Sequence, residues 1–599
     1  MTTMDEIVAS IEENSTMEAM TEVTFVSFGP FTMDERRGLT KQQRSGRGRE
    51  ATIETVWISA PFEVLGACRD PHGRAWGKLL QFYDDDGRPH TKHVTDANLQ
   101  GEPAALCATL ADEGLRINRS KQKELAEYLS GVRIEARVTI VNRTGWHQIG
   151  KDHIFVLPGK TITREGSERI VLDASAHGPY ETQGTIEDWK EGVGALSADH
   201  VLLTFMVSAA LAGPLAHIVG AEGGGVHVFG PSSIGKSSLL CAAASVWGRG
   251  SSVGGYMRTW RATVNGLEGA AASATDTCLV LDEIGVGDAR DVAASIYQLA
   301  NGVGKARAGR GGELREPKAW RVLPLSSGEL PVDAKIDEDR GRKSRGGHLV
   351  RLLDIRADRE FGFGAFDSSG SFPDAGKLAD AIKEAAVSAY GTAGPAFIQE
   401  LASTDRDVTV TKTKNFMVRF VSKVVSAGAS EQINRAAKKF ALIAAAGEMA
   451  SAVGITPWTK GSAERAAVSA FKAWLDKRGG VGSHEERQAV EQVRRMIIQH
   501  GESRFEQVSE VEGSNLGGVH NRLGWRKGEG AAREWWIPSE VWKADFCDGL
   551  DPTHVAKTLA SKGMLRRQDA KNLTAVRKIG GRNARVYVLA ASILGGEDG

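Results

Sequence analysis

The nine residues GPSSIGKSS, Gly230 to Ser238, constrain this chain more than any other stretch. Gly-x-x-x-x-Gly-Lys-Ser is the pattern of a loop that wraps a triphosphate. Gly230 and Gly235 let backbone N–H groups turn toward phosphate oxygens, Lys236 reaches the β- and γ-oxygens, and the Ser237 hydroxyl sits where Mg²⁺ needs an oxygen. Pro231, Ser232, Ser233, Ile234 and Ser238 complete the nucleotide-binding loop. The flanks agree with the motif: VHVF, Val226 to Phe229, is an apolar β-rich run, and SSLLCAAASVWG places Leu239, Leu240, Ala243 and Val246 at helical spacing. Strand, glycine loop and helix in that order predict an α/β P-loop NTPase core with ATP and Mg²⁺ as its ligands.

A second apolar run, TCLVLDE, closes in Asp282 and Glu283. Beside a triphosphate loop, an acid-tipped strand supplies the other half of a hydrolytic site: Asp282 joins Ser237 at the hydrated Mg²⁺ and Glu283 polarises the attacking water. A third strand is expected over WRVLPL, Trp320 to Leu325, ending in Ser326, Ser327, Gly328 and Glu329. In ring ATPases the strand beside the acid-tipped one ends in a small polar sensor of the γ-phosphate, so Ser326 or Ser327 is the candidate, with a plain Ser-Gly turn as the competing reading. Between these strands, NGVGKARAGRGGELREPKAW reads as a basic hairpin in which Lys305, Arg307 and Arg310 grip the phosphates of a nucleic-acid strand, the alternative being a solvated loop. Downstream lie Arg340, Arg342, Arg345 and Arg351. Arg342 or Arg345 is favoured as an arginine finger reaching a neighbouring subunit's γ-phosphate.

A chain of 599 residues should hold three or four domains. Lys+Arg and Asp+Glu both number 75, so any nucleic-acid surface must come from local clusters. Five scattered cysteines without a Cys-x-x-Cys pair argue against zinc and disulfides, and fit a reducing cytoplasm. An acidic N-terminus and interrupted apolar runs point away from secretion and membrane insertion. The most apolar stretch, Val201 to Gly220, is expected to be a buried helix covering the P-loop sheet.

Composition divides the chain into an acidic tip and flexible basic linker (1–51), an α+β domain (52–194), the P-loop ATPase domain (195–360), a linker with a helical lid (361–484) and a C-terminal domain (485–599). In the α+β domain, DDDG, Asp84 to Gly87, has the paired carboxylates that a primase uses for metals, but Asp-Gly between LLQFY and HTKHV reads as a hairpin turn. The final module, an N-capped helix followed by LTAVRKI, a GGRN turn and ARVYVLA, suggests a winged helix, with Arg566, Arg567, Arg577 and Lys578 suited to a phosphate backbone.

WRATVNGLE, LVLDEIG, YQLANGVGKARAGRGG, WRVLPLSSGE and FKAWLDKRGG, in this order, resemble the bacterial family called "domain of unknown function nine-two-seven". The similarity is expected to run from about residue 60 to about residue 590. These proteins are similar to helicases or primase-helicases carried by phages, plasmids and integrated islands, and the resemblance implies a replication role in a mobile element. The resemblance implies nucleotide binding by Gly230, Gly235, Lys236 and Ser237 and hydrolysis by Asp282 and Glu283. Taken together, the motifs are read as a ring-forming AAA+ or superfamily-three-like ATPase that couples ATP hydrolysis to movement along DNA, expected as a homohexamer on single-stranded or forked DNA with a primase or other replication protein as partner. Asn265 and Glu268 look motif-like without a mechanism. The cysteine cluster of the primase-bearing relatives is missing here. The alternative function is an origin-binding initiator or loader that does not itself unwind DNA.

Overall fold

The computed structural model describes residues 26–45, 52–150, 152–163, 168–173, 179–305, 307–308, 314–315, 317–339, 350–478, 484–508, 519–569, 572–579 and 582–595. At its centre lies a five-stranded, wholly parallel sheet. Its strands are β1 (Gly225–Phe229), β2 (Arg258–Thr259), β3 (Cys278–Asp282), β4 (Leu323–Gly328) and β5 (Leu352–Arg356), in the spatial order β2-β3-β4-β1-β5. A parallel sheet needs both faces covered, and period-two alternation divides the side chains. Val226, Val228, Cys278, Val280, Leu325, Leu353 and Ile355 enter one large core, whereas Leu279, Leu281 and Leu352 enter a smaller core on the opposite face.

The large core holds α1 (Val201–Val219) and α2 (Lys236–Ser245). Helix α1 is long and apolar enough to cross a membrane by length and composition, yet 89% of its most apolar window is buried inside the protein. It also carries Pro214 in its interior. Proline has no N–H to give the carbonyl four residues earlier, Ala210; the indole Nε1–H of buried Trp247 donates to Ala210 O instead, at 2.9 Å. The small core holds α3 (Val264–Ser273) and α4 (Ala289–Asn301). Helix α3 is capped by the Thr263 hydroxyl, α4 by the Asp288 carboxylate, and a left-handed Gly302 ends α4.

Four expectations change. Residues 36–45 of the expected basic linker are not a tether: Phe31–Asp34, Gly38–Ser45 and Thr52–Ser59 form an antiparallel sheet, and Phe31, Met33, Leu39 and Ile58 enter one core with Phe62, Leu80, Phe82 and Tyr128. The unit expected over 52–194 is divided between cores. Its five-stranded sheet and the helices Pro103–Asp112 and Gln122–Gly131 form one body, while Trp146, Phe155, Leu157 and Ile162, from an antiparallel sheet over 145–162, pack into the large core of the central sheet. The helices at 375–478 form no separately cored lid either, because Phe440, Phe471 and Trp474 share that large core with α1 and α2. Finally, β4 starts at Leu323 and runs through Gly328, so Ser326 and Ser327 are buried strand residues, with Val228 pairing Ser327.

The strands Gly77–Tyr83 and Pro89–Thr95 do form a hairpin around Asp84–Gly87, where the Asp84 carboxylate accepts N–H bonds from Asp86 and Arg88 and pairs with His90. At the C-terminal end, His484–His500 and Pro552–Ser561 pack on a sheet that includes the hairpin Ala575–Ile579 and Arg582–Ala590, around a core of their own. The acidic tip 1–24 lies outside the described residues.

Candidate functional site

The C-terminal ends of β1, β3, β4 and β5 open on one edge of the central sheet, where parallel α/β sheets bind their ligands. The loop after β1 takes backbone conformations that L side chains rarely adopt: φ is +154° at Gly230, +62° at Ser233 and +98° at Gly235. Glycine at 235 is also a packing requirement, since a Cβ there would lie 2.8 Å from the Phe366 ring. The segment following β5 clamps the loop from outside, with Ala365 N–H donating to Ile234 O at 2.8 Å, while Gly230 N–H donates to Gly328 O of β4 at 3.2 Å.

Lys236, the first residue of α2, is only 7% exposed. Its ammonium donates to Gly230 O at 2.9 Å and to Pro231 O at 2.5 Å. Burial lowers its pKa, opposed by the charges of Glu283, Glu329 and Asp282. Ser237 Oγ–H donates across to Asp282 Oδ2 at 3.4 Å. That distance puts a hydroxyl and a carboxylate within reach of one small hard cation, the donor set Mg²⁺ takes alongside phosphates. Among the described residues no group of three or more His, Cys, Asp or Glu side chains gathers elsewhere as a metal cage.

Asp282 ends β3, and the next residue, Glu283, stands at φ +55°, strained for a non-glycine. The strain aims consecutive carboxylates differently. The Asp282 Oδ1 accepts Glu283 N–H at 3.1 Å and a short bond from the Ser327 hydroxyl, while Glu283 Oε1 accepts Gly285 N–H at 3.1 Å. Ser327 Oγ in turn accepts Glu283 N–H at 3.2 Å.

Successive residues on a strand face opposite ways, and this separates the two serines. Ser326 looks into the opposite face, where it sits in a buried chain of donors: Trp260 Nε1–H to Ser326 Oγ at 2.8 Å, Ser326 O–H to His227 Nδ1 at 2.8 Å, and His227 Nε2–H to Leu330 O at 3.0 Å. The Leu330 carbonyl can only accept, so His227 Nε2 carries a proton, and burial, which lowers the His227 pKa, favours leaving Nδ1 as the acceptor of the Ser326 hydroxyl. Ser326 therefore does not share the edge with Lys236 and Asp282. Trp260 and His227 belong to this neighbourhood although neither was a site candidate in the sequence: Trp260 only opens the family string WRATVNGLE and His227 sits inside the apolar run VHVF, and neither setting signals whom the side chain will bond.

The remaining candidates lie further out. The basic hairpin has two paired arms, Arg307–Ala308 and Leu314–Arg315, below a Val303–Ala319 bridge, and Lys305 is exposed. Arg310, Arg342 and Arg345 lie outside the described residues. Arg351 rests over the Tyr297 ring at 4.4 Å. At the C-terminal end Arg567 and Lys578 are exposed, Arg566 is paired with Glu534 at 2.6 Å, and Arg577 is half-buried over the Trp536 ring at 5.6 Å.

A mixed α/β fold built on this parallel sheet and loop edge is the class to which the comparisons can be set. Residues 31–319, just under half of the chain, match the family model described as Domain of unknown function (DUF927), so the resemblance read from the motifs is found over this segment and not as far as residue 590. The match begins at Phe31, the first residue of the strands described above, and stops just short of WRVLPLSSGE; FKAWLDKRGG also lies beyond it. The whole chain is similar in fold to a solved structure described as "SCCmec type IV Cch - active helicase", with a TM-score of 0.71 at 18% identity, covering 95% of this chain and 100% of that one. No curated protein matches the sequence.

Proposed function

We propose that this chain is an ATP-driven DNA helicase or translocase of mobile-element replication, built as an AAA+ or superfamily-three-like P-loop NTPase. The observation that carries the reading is the meeting of Lys236, Ser237, Asp282, Glu283 and Ser327 at one edge of a parallel sheet. The fold shared with a chain described as an active helicase supports the nucleic-acid half of the proposal. In this reading Lys236 exchanges its loop carbonyls for the β- and γ-phosphate oxygens of ATP. Ser237 and Asp282 would hold Mg²⁺, which would neutralise phosphate charge. Glu283 orients the water whose oxygen bonds to the γ-phosphorus as the bond to the ADP oxygen breaks and the water proton passes to solvent or carboxylate. Ser327 holds Asp282 and the Glu283 backbone in register, and so is the better of the two sensor candidates.

The nucleic-acid contacts in this reading are those expected from the basic clusters of the sequence. Lys305, Arg307 and Arg310 on the hairpin grip a single strand, and the winged-helix-like C-terminal unit adds Arg567 and Lys578 against a phosphate backbone, with Arg566 and Arg577 alongside. A homohexamer with ATP between subunits, and Arg342 or Arg345 reaching across, completes the assembly. The second reading, an origin-binding initiator or loader that does not unwind, is favoured by the exposed basic residues gathered on the C-terminal helix-and-hairpin unit. Purified protein is expected to hydrolyse ATP faster with forked DNA and to displace a strand, both lost in Lys236→Ala. ATPase without strand displacement selects the loader, and an intact ATPase in Lys236→Ala refutes the site.

A further inference from the structure

The string TVNGLE, singled out in the sequence without a role, opens α3 and delivers Glu268 to an unusual place. Glu268 is 2% exposed, rare for a carboxylate. Its Oε2 accepts the Nε2–H of Gln298 on α4 at 3.1 Å. Its other oxygen lies against Gly304, so closely that a Cβ on Gly304 would stand 2.6 Å from Oε1 and 2.9 Å from Cδ. The backbone φ at Gly304 is not in the left-handed region, so space, not strain, requires glycine there.

Gly304 is where the basic hairpin leaves the body of the fold. Its N–H donates to Lys318 O at 2.7 Å, Trp320 N–H donates to Gly302 O at 2.9 Å, and Val303 bridges Ala319. From its other side α3 packs Leu267 and Ala271 into the small core beside Leu279 and Leu281 of β3, the strand that ends in Asp282. One buried carboxylate therefore touches α4 and the hairpin root, and rides on the helix that backs the acid-tipped strand.

We propose that Glu268 is a positioning residue that latches the root of the basic hairpin to α3 and α4, so that the hairpin moves with the β3 edge of the nucleotide site. The inference rests on the hairpin's proposed role in gripping DNA and names what transmits to it.

The test compares wild type, Glu268→Ala, Glu268→Gln, Gly304→Ala and the double variant Glu268→Ala/Gly304→Ala. Two readouts are taken: amide hydrogen exchange over 302–304 and 318–320, and ATPase rate with and without single-stranded DNA. Glu268→Ala is expected to speed exchange at those amides about tenfold and cut DNA stimulation about tenfold, leaving the DNA-free rate within about twofold. Glu268→Gln, which keeps shape and an acceptor for Gln298, restores both. Gly304→Ala reproduces the defect by driving its methyl against the carboxylate, and the double variant behaves like Glu268→Ala alone, because removing the carboxylate clears the space that methyl needs. Wild-type exchange in Glu268→Ala overturns the latch. So does fast exchange with undiminished DNA stimulation, or an equal loss of both ATPase rates that glutamine fails to rescue. A wild-type ATPase indifferent to DNA sinks the helicase reading itself, and the exchange data then still decide whether Glu268 holds the hairpin root.

Discussion

Replacing each of the neighbouring serines of β4 by alanine should damage different properties. Ser327→Ala removes the hydroxyl that donates to Asp282 and accepts the Glu283 N–H. Asp282 and Glu283 are half-buried and open to water, so the fold loses little. A hydrogen bond to a charged group is worth about 1.5–3 kcal/mol, and if the bond matters for aligning Asp282 and Glu283 in the transition state, kcat falls about 10- to 150-fold. Ser326→Ala leaves the Trp260 Nε1–H and the His227 Nδ1 buried without their partner. Two unsatisfied groups at about 1–3 kcal/mol each give a stability loss of about 2–6 kcal/mol, and Tm drops by about 10 °C in a domain of this size. Steady-state ATPase with a coupled assay and thermal denaturation of the same preparations separate the two. A Ser326→Ala protein that melts normally but has lost its ATPase, or a Ser327→Ala protein within about threefold of wild-type kcat, refutes the assignment of opposite faces to opposite tasks.

Two further substitutions probe the scaffold. Trp247→Phe keeps the bulk but removes the donor that Pro214 makes necessary at Ala210 O, and the midpoint of urea unfolding should shift by about 1–3 kcal/mol in stability; no shift would mean the carbonyl finds another partner. Lys477→Met strands the buried Asp354 carboxylate, which accepts Lys477 Nζ at 2.9 Å and Val332 N–H at 3.1 Å, at a cost of about 3–5 kcal/mol. Burial already raises the Asp354 pKa against the pull of Lys477. Without the lysine the folded carboxyl keeps its proton to higher pH than the unfolded one, whose pKa is about 3.9. The variant's deficit is therefore smallest in acid and grows as pH rises through the folded-state pKa; a deficit that shrinks on raising the pH contradicts the pairing.

The loop edge was legible because its chemistry is local. Gly230, Gly235, Lys236 and Ser237 must stand at fixed spacing on one turn of chain, and a strand ending in Asp282-Glu283 announces itself by its apolar run. The two serines were not separable in the sequence, since Ser-Ser-Gly after a run containing Pro324 reads as a turn; only the neighbouring strands β1 and β3, which bring His227 and Asp282 to either face, keep Ser326 and Ser327 in the sheet. The stretch 36–49 misled for a related reason. Arg36, Arg37, Lys41 and Arg44 suggest a solvated tether, but Leu39 at 0% exposure and the pairing with Thr52–Ser59 are tertiary facts. Glu268 was visible as a pattern and silent as a mechanism because its partners, Gln298 and Gly304, come from two later segments.

The two faces of the central sheet are unequally thick. On one face, α1, α2 and the helices that carry Phe440, Phe471 and Trp474 share a single core. Exposing even a few such side chains costs about 1.5–3 kcal/mol each, so parting that face would take on the order of 10 kcal/mol, comparable to the whole stability of a domain. That side acts as an anvil. The thin side, with α3, α4 and the hairpin root, is where a small displacement at the loop edge would meet the least resistance, so under the proposed function it is the side through which that displacement would pass to the hairpin.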